Sequence, residues 1–525
     1  MRDPEDRRSF SAFRVPISAL ESLFSPRRGF RTPIDLVIMD NKVQLITYVD
    51  RFTGGGMADL HRLLTGPLKN VFGGVHMLPF FNPIDGADAG FDPTDHLTVD
   101  PRLGDWSDVS RLTRDIPVMA DVIVNHVSAQ SPAFQDYLEN GRDSDYAGLF
   151  LGYNDVFPVG ATETQLLKIY RPRPGFPFSR YSLQDGTDRL MWTTFTSQQI
   201  DINVFHEKGE QYLSDILDTF AEAGITMVRL DAAGYAVKKA GTTCFMIPET
   251  FEFIAEFTTK AKKREIEVLV EIHSYYRTQI EIAERVSYVY DFALPPLILH
   301  ALFEGTGQYL AKWLAISPRN CVTVLDTHDG IGVIDIGPEG DQPGLIPDAE
   351  VDKLVENIHE RSKGESRQAT GAAASNLDLY QVNCTYYDAL GQDDELYILA
   401  RALQFFAPGV PQVYYAGFLA EVNAMELLHE TKVGRDINRP YFEESRVKAA
   451  LERPVVQRLI RLIRFRNDHF AFQGEFDQRH EGGERYCFSW QNLKALAELI
   501  VDFKARSFQI RERGPVSDEV KTWRP

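Results

Sequence analysis

Eight short apolar runs recur along this chain, and longer stretches with helical periodicity separate them. They are VQLITYVD (43–50), GVHMLPF (74–80), VMADVIVNH (118–126), ITMVRLD (225–231), VLVEIH (268–273), YVYDFALP (288–295), VTVLDTHD (322–329) and VPQVYYAG (410–417). Apolar runs of this length between turn signals suit strands buried on both faces, and strands that alternate with helices pair in parallel. Eight such units close into a barrel whose chemistry sits in the loops after the strands. The predicted fold class is therefore α/β, a (β/α)8 TIM barrel drawn from residues 39–127 and 204–464.

Two intervals are too long for a βα loop of a few residues. Residues 128–203, rich in proline and aromatics and including IYRPRPGFPFSRY, predict an inserted domain over the barrel mouth. Residues 330–404 predict a lid-like insertion after the seventh strand, of the kind that closes over a site. After RLIRLIRFRND, residues 465–525 carry short apolar runs between turn clusters and predict a small β domain. Residues 1–38 contain MRDPEDRRSF and FSPRRGF without an apolar signal core, so they are expected to be a poorly ordered extension rather than a secretory leader.

Charge and cysteine usage exclude several classes. A net charge of −19 argues against nucleic acid or an anionic membrane as partner, since both call for clustered lysine and arginine. No run of about 18 apolar residues is present to cross a membrane. Cys244, Cys321, Cys384 and Cys487 lack metal-binding spacing, which predicts free buried thiols and a cytoplasmic setting. GGG at 54–56 lacks the spacing of a phosphate loop and reads as a turn.

Four of the strand exits bear a carboxylate, or a histidine with a carboxylate nearby: DVIVNH (Asp121, His126), VRLDA (Arg229, Asp231), LVEIH (Glu271, His273) and LDTHD (Asp326, His328, Asp329). Any one alone reads as a salt bridge or a helix cap. All four at one end of one barrel read as a catalytic cluster. Two carboxylates about 5 Å apart flanking a glycosidic bond support a retaining mechanism. Asp231 shares a strand face with Arg229, so it is expected to stay ionised and act as nucleophile. Glu271 follows an apolar run and is expected to be the general acid/base, with Asp329 stabilising the oxocarbenium-like transition state.

DVIVNH, GITMVRLDA, EVLVEIH and VLDTHD, in this order, resemble the conserved regions of the α-amylase superfamily of retaining α-glycosidases. Within it, NKVQLITYVDR, PFFNPIDGADAGFDPTDH, IYRPRPGFPF, GYAVKKAGTTCFM, EIHSYY, YDFALPPL, LDTHDGIGVIDIG, TGAAASNLDLYQVN, PGVPQVYY and GRDINR resemble the sucrose phosphorylase family, over roughly residues 41–470. The resemblance implies the same three catalytic residues and the reversible phosphorolysis of sucrose to α-glucose 1-phosphate and fructose. Sucrose 6-phosphate, glucosylglycerol or glucosylglycerate as donor, or transglucosylation or hydrolysis with the same three carboxylates, are the alternatives. It further implies a substrate pocket of Asp88, Phe91, His126, Phe195, Gln199, Arg229, Tyr235, His328, Asp378, Gln381 and Arg435. The acceptor and phosphate side would comprise Tyr170, Pro172, Arg173, Leu379 and Tyr380, with Asp378 and Tyr380 exchanging places between the half-reactions because a carboxylate repels phosphate. Phosphate is then a substrate, no cofactor is needed, and the resemblance implies a homodimer. Many amylases hold a structural calcium between barrel and insertion; the resemblance implies none here.

Overall fold

The computed structural model describes residues 40–86, 88–171, 175–370 and 381–525. The expectation for residues 1–38 therefore lies outside the described residues. Eight parallel strands close into a barrel in simple sequential order. They are β1 (Gln44–Thr47), β2 (Gly74–Met77), β3 (Val118–Ile123), β4 (Met227–Asp231), β5 (Glu267–Val270), β6 (Tyr288–Asp291), β7 (Cys321–Thr323) and β8 (Val410–Tyr414). Six lie within one of the apolar runs, β5 and β7 begin one residue before theirs, and nearly every strand residue is buried. This is the (β/α)8 fold expected.

The helices that wrap the barrel follow ordinary rules. In Glu207–Glu222, Leu213, Ile216, Leu217 and Phe220 are buried on one stripe, while Glu207 and Glu210 sit in the first turn, where the helix dipole favours negative charge. Pro454–Asp468 starts with proline, whose missing N–H costs nothing at a helix start, and buries Val455, Val456, Leu459, Ile460, Leu462 and Ile463. No helix among the described residues is long and apolar enough to cross a membrane. All four cysteines are free and buried.

The segment between β3 and β4 folds over the barrel mouth around two antiparallel ribbons. Phe178–Ser182 pairs with Asp188–Trp192, and His126–Ser128 pairs with Gln199–Asp201. Its small core joins Leu151, Phe157, Ile169 and Trp192 to Cys244, which comes from the loop after β4. Beside it the Lys238 ammonium, also from that loop, meets Asp201 Oδ2 at 2.6 Å and Asn125 Oδ1 at 2.6 Å, and donates to the Tyr235 carbonyl. Both side chains of the Lys238–Asp201 pair are out of solvent. A buried cation thus pins three segments together.

The stretch between β7 and β8 is partly barrel wall. Ile331–Gly332 pairs with Gln381–Val382, and helices Asp348–Arg361 and Glu365–Gln368 lie between those two strands in sequence. Helix Asp394–Phe406, however, is buried from Leu396 onward. Its Gln404 donates to Thr323 and Gln412 carbonyls at 2.9 Å each, and its Arg401 holds Asp326 at 2.8 Å. It is the helix of the seventh unit, so the lid-like reading of 330–404 runs too far: burial on all sides makes that helix's periodicity look like any apolar stretch. Asp326 is a structural partner of Arg401 rather than part of the site. Beyond Asp468, five antiparallel strands from Glu475 to Trp523 form the C-terminal sheet. Trp490 anchors it to the barrel through its indole N–H on the Phe406 carbonyl at 2.8 Å.

Replacing Lys238 with methionine strands Asp201 as a buried unpaired carboxylate, a loss expected to cost about 3–5 kcal/mol. The midpoint of urea unfolding should fall accordingly, and the double variant Lys238→Met/Asp201→Asn should recover much of the loss. A Lys238→Met protein as stable as the parent would show that this pair clamps nothing.

Candidate active site

The barrel interior beneath the mouth holds charge instead of aliphatic packing. Arg229 on β4 is opposite Asp121 on β3 in the strand register, so the two side chains share the barrel's inner face. Arg229 Nη1 lies 2.6 Å from Asp121 Oδ1 and 2.8 Å from Asp231 Oδ1, and Nη2 lies 3.8 Å from Glu271 Oε1. His76 on β2 completes the layer, with Nε2 3.0 Å from Asp121 Oδ2. Burial would raise the Asp121 carboxyl, but His76 and Arg229 outweigh it and hold Asp121 below its ordinary range. The guanidinium is therefore fixed from below and offers its remaining reach to two carboxylates above.

Asp231 ends β4, and Ala232 follows in the left-handed region at φ 54°. That conformation is costly for a residue with a Cβ and marks a backbone held by its surroundings. It turns the chain sharply into the short helix Ala233–Tyr235, which brings Tyr235 to the cavity wall.

Asp329, from the β7 exit, is fixed by cations. Arg435 Nη1 is 2.9 Å from Asp329 Oδ1, Arg439 Nη2 is 3.9 Å away, and His328 Nε2 is 3.6 Å from Oδ2. Burial alone would raise this carboxyl; Arg435 foremost, then His328 and Arg439, hold it well below the carboxylate range. Asp329 stays ionised. Burial pushes His328 down to about 3, so its imidazole is neutral, stacked on Phe91 with ring centroids 4.7 Å apart. Burial likewise lowers His126, whose Nε2 lies 3.0 Å from the Phe91 carbonyl oxygen and 3.1 Å from Gln199 Nε2.

One cavity of about 900 Å³, measured out to its open mouth, lies above these groups. Asp88, Phe91, His126, Tyr170, Phe195, Gln199, Asp231, Tyr235, Glu271, His328, Asp329, Gln381 and Arg435 all face it. The structure thus brings together thirteen of the predicted site residues. Arg229 is placed otherwise: it is only 2% exposed, lies under the floor, and reaches the cavity only through Asp231 and Glu271. Pro172, Arg173, Asp378, Leu379 and Tyr380 lie outside the described residues. Phe245 and Ile334 also line the cavity and are not singled out by the sequence reading; His273, named there at a strand exit without a role, lines it too. Phe245 packs against Tyr170 and Tyr235, at 4.8 and 4.7 Å between ring centroids, building an aromatic wall on one side of the mouth. Its only sequence signal is its place in GYAVKKAGTTCFM.

One electrostatic expectation is corrected. Arg229 does not keep Asp231 in the ordinary carboxylate range: burial, with added repulsion from Glu271 and Asp121, pushes Asp231 up to about 8 against the pull of Arg229. Two carboxylates in one dry cavity cannot both ionise freely, so the pair retains one proton near neutral pH. Arg229 donates directly to Asp231 and stands off from Glu271, so its charge favours the ionised form of Asp231 against the effect of burial. Among the described residues, Glu271, His273 and Asp329 present ligand-type atoms within 4.8 Å of one another, the one such trio in the cavity.

A closed parallel barrel with paired carboxylates at the exits of β4 and β5, and a third at β7, defines the α-amylase class of retaining glycosidases. The profile described as alpha amylase, catalytic domain, matches residues 70–289. The chain is 60% identical to a sucrose phosphorylase of Agrobacterium vitis over 91% of its length and 98% of that protein. It is 52% identical to a sucrose phosphorylase of Bifidobacterium adolescentis, over 91% of this chain and 95% of the relative. The crystal structure of sucrose 6F-phosphate phosphorylase from Thermoanaerobacter thermosaccharolyticum superposes with a TM-score of 0.86 at 36% identity, covering 94% of this chain and 99% of that one. The chain belongs to the sucrose phosphorylase family and is a glycoside phosphorylase.

The shared proton has an observable signature. An infrared difference spectrum of the unliganded protein should show a carboxylic-acid band that bleaches as pH rises through about 8. The band should be missing in Asp231→Asn and in Glu271→Gln alike. Its persistence in both would place the proton elsewhere.

Proposed function

We propose that this enzyme catalyses the reversible phosphorolysis of sucrose to α-D-glucose 1-phosphate and D-fructose, by double displacement through a covalent glucosyl-enzyme. The observation that carries the reading is the convergence of Asp231, Glu271 and Asp329 on one cavity above Arg229. The free oxygen of Asp231 attacks the anomeric carbon while Glu271 gives its proton to the departing fructosyl oxygen. Asp329, kept ionised by Arg435, faces the positive charge that develops on the sugar ring. Phosphate then attacks the anomeric carbon, and the electron pair of the ester bond returns to Asp231. Net configuration is retained because each step inverts.

The neutral histidines His126 and His328, with Asp88 and Arg435, supply hydrogen bonds for sugar hydroxyls at the closed end of the cavity. Tyr170, Tyr235 and Phe245 form the wall on the open side, where the acceptor exchanges. Identity of 60% to a sucrose phosphorylase, against 36% to the sucrose 6F-phosphate phosphorylase, supports unphosphorylated sucrose as donor. The four free thiols support a reducing, cytoplasmic setting.

No metal is assigned a step. Where an ion could bridge barrel and insertion, Lys238 already supplies the positive charge to Asp201, Asn125 and the Tyr235 carbonyl. In the cavity the Glu271–His273–Asp329 trio is flanked by Arg229 and Arg435, which oppose a further cation. Exhaustive chelation followed by assay in metal-free buffer should leave turnover within experimental error. A loss restored by a divalent ion would contradict this.

The decisive assay incubates the protein with sucrose, with and without phosphate, and in parallel with sucrose 6-phosphate, glucosylglycerol and glucosylglycerate. Glucose 1-phosphate should appear in step with fructose from sucrose; fructose release indifferent to phosphate would point to a hydrolase. Asp231→Asn should lower turnover by more than about a thousandfold. Glu271→Gln should lower turnover of sucrose by about 10²–10⁴-fold while sparing α-glucosyl fluoride, whose leaving group needs little protonation.

A further inference from the structure

Two stretches from distant parts of the chain, NKVQLITYVDR and GRDINR, meet beneath Asp329. The turn Gly434–Asn438 and the Arg439 that follows it grip the β7 exit by its backbone. Asn438 Nδ2 donates to the Thr327 carbonyl at 3.1 Å and to the Asp329 carbonyl at 2.8 Å, and Arg439 Nε donates to the His328 carbonyl between them at 2.8 Å. Three successive carbonyls are thus held by two neighbouring side chains. The same segment sends Arg435 to Asp329 Oδ1 at 2.9 Å. Where Asp329 points therefore depends on where residues 434–439 sit.

Arg51 fixes that segment. It lies in the short helix Val49–Thr53 that follows β1, is buried, and is not among the residues that line the cavity. Its Nη1 donates to the Arg439 carbonyl at 3.0 Å and lies 3.4 Å from Asp436 Oδ1. Its own carbonyl accepts the Phe442 N–H at 2.7 Å, so the two segments clasp each other in both directions. The guanidinium also packs over two rings, Tyr48 at 4.7 Å and Tyr441 at 4.5 Å from the centroids, contacts that suit a planar, delocalised cation. Tyr48 in turn presents its ring at right angles to that of His328, with centroids 6.4 Å apart. Gly54, the first residue of GGG, permits the close approach: its φ is 67°, and a Cβ there would come within 2.8 Å of the Phe442 carbonyl oxygen.

We propose that Arg51 is a positioning residue for transition-state stabilisation: by holding Asp436 and the Arg439 carbonyl, it sets the turn that aims Asp329 at the positive charge developing on the sugar ring. This rests on the role given to Asp329 above and names the side chain that secures it. A neutral ground state gains little from close placement of that carboxylate. A cation gains much, because charge–charge energy varies inversely with distance and is poorly screened in a dry cavity. Loosening the turn therefore costs turnover more than substrate binding. Lysine in place of Arg51 keeps a charge for Asp436 but loses the planar fork that also reaches the Arg439 carbonyl, so it restores only part of the function.

The test compares Arg51→Met and Arg51→Lys with the parent, using α-glucosyl fluoride as donor in the presence of phosphate and following fluoride release. Arg51→Met should lower kcat by about tenfold or more while KM changes by less than about threefold, and Arg51→Lys should recover part of the loss. Binding of two inhibitors gives the second readout: 1-deoxynojirimycin, a glucose-shaped imino sugar that binds as a cation, and glucose, its neutral counterpart. In Arg51→Met the imino sugar should weaken about tenfold and glucose by less than about threefold. Because Arg51→Met leaves Asp436 without its cation, Arg51→Met/Asp436→Asn carries the same test should the single variant fail to fold. A smaller loss of kcat, a KM that rises as much as kcat falls, or equal weakening of the two inhibitors overturns the role of Arg51 and leaves that of Asp329 standing. A parent that binds the imino sugar no more tightly than glucose removes the role of Asp329 and this inference together.

Discussion

The contact between Arg229 and Asp121 sets the terms for everything above it. A guanidinium buried to 2% exposure inside a barrel is tenable only with a fixed anionic partner, and Asp121 supplies one at 2.6 Å from the adjoining strand. Parallel register makes the two neighbours inevitable once the strands pair, because Arg229 and Asp121 are opposite each other. With one side of the guanidinium spent on Asp121, the other confronts Asp231 and Glu271. One positive charge is thus shared among three carboxyls, and the surplus negative charge above it must retain a proton. The proposed division of labour between a nucleophile and an acid follows from that count of charges.

Asp329 illustrates the opposite solution. It has two arginines within 4 Å, so its charge is more than compensated and it stays ionised despite burial. Asp231 and Asp329 therefore shift in opposite directions because their cation supply differs, although both sit at strand exits of the same barrel. Arg435 and Arg439 come from the segment after β8, and Arg439 is itself held by the His328 carbonyl at 2.8 Å. The ring of strands must close for β8 to bring these cations beside β7.

Much of this was legible from residue order. Strands buried on both faces show as apolar runs, and polar residues at their C-terminal ends stand out against them, which is why Asp231, Glu271 and Asp329 could be singled out. What sequence could not convey was balance. The proximity of Arg229 to Asp231 is visible as a spacing of two, but the rival Glu271 lies forty residues on, and its repulsion depends on how tightly β4 and β5 pack. The same limit hid the part played by Asp335 and Gln279, which meet only because the chain folds them behind His273. Helix Asp394–Phe406 was misjudged for a related reason: a helix enclosed on all sides has no polar face to give it away.

The two ends of the cavity are built from different parts of the chain, and this bears on how such a barrel changes partners. The closed end uses residues at strand exits, among them Asp231, Glu271 and Asp329. The open end is made of Tyr170 from the segment between β3 and β4, Tyr235 and Phe245 from the loop after β4, and Gln381 from the stretch between β7 and β8. These are connected to the barrel through a few specific links, the Lys238 cage on one side and the Asp335–His273 contact on the other. Substitutions in the connecting segments can therefore reshape the acceptor side while the charges beneath the sugar stay in place. The Asp335–His273 contact differs from the Lys238 cage in one respect: it couples the acceptor side directly to Glu271, 3.9 Å from the imidazole. The imidazole thus stands between the open end of the cavity and Glu271.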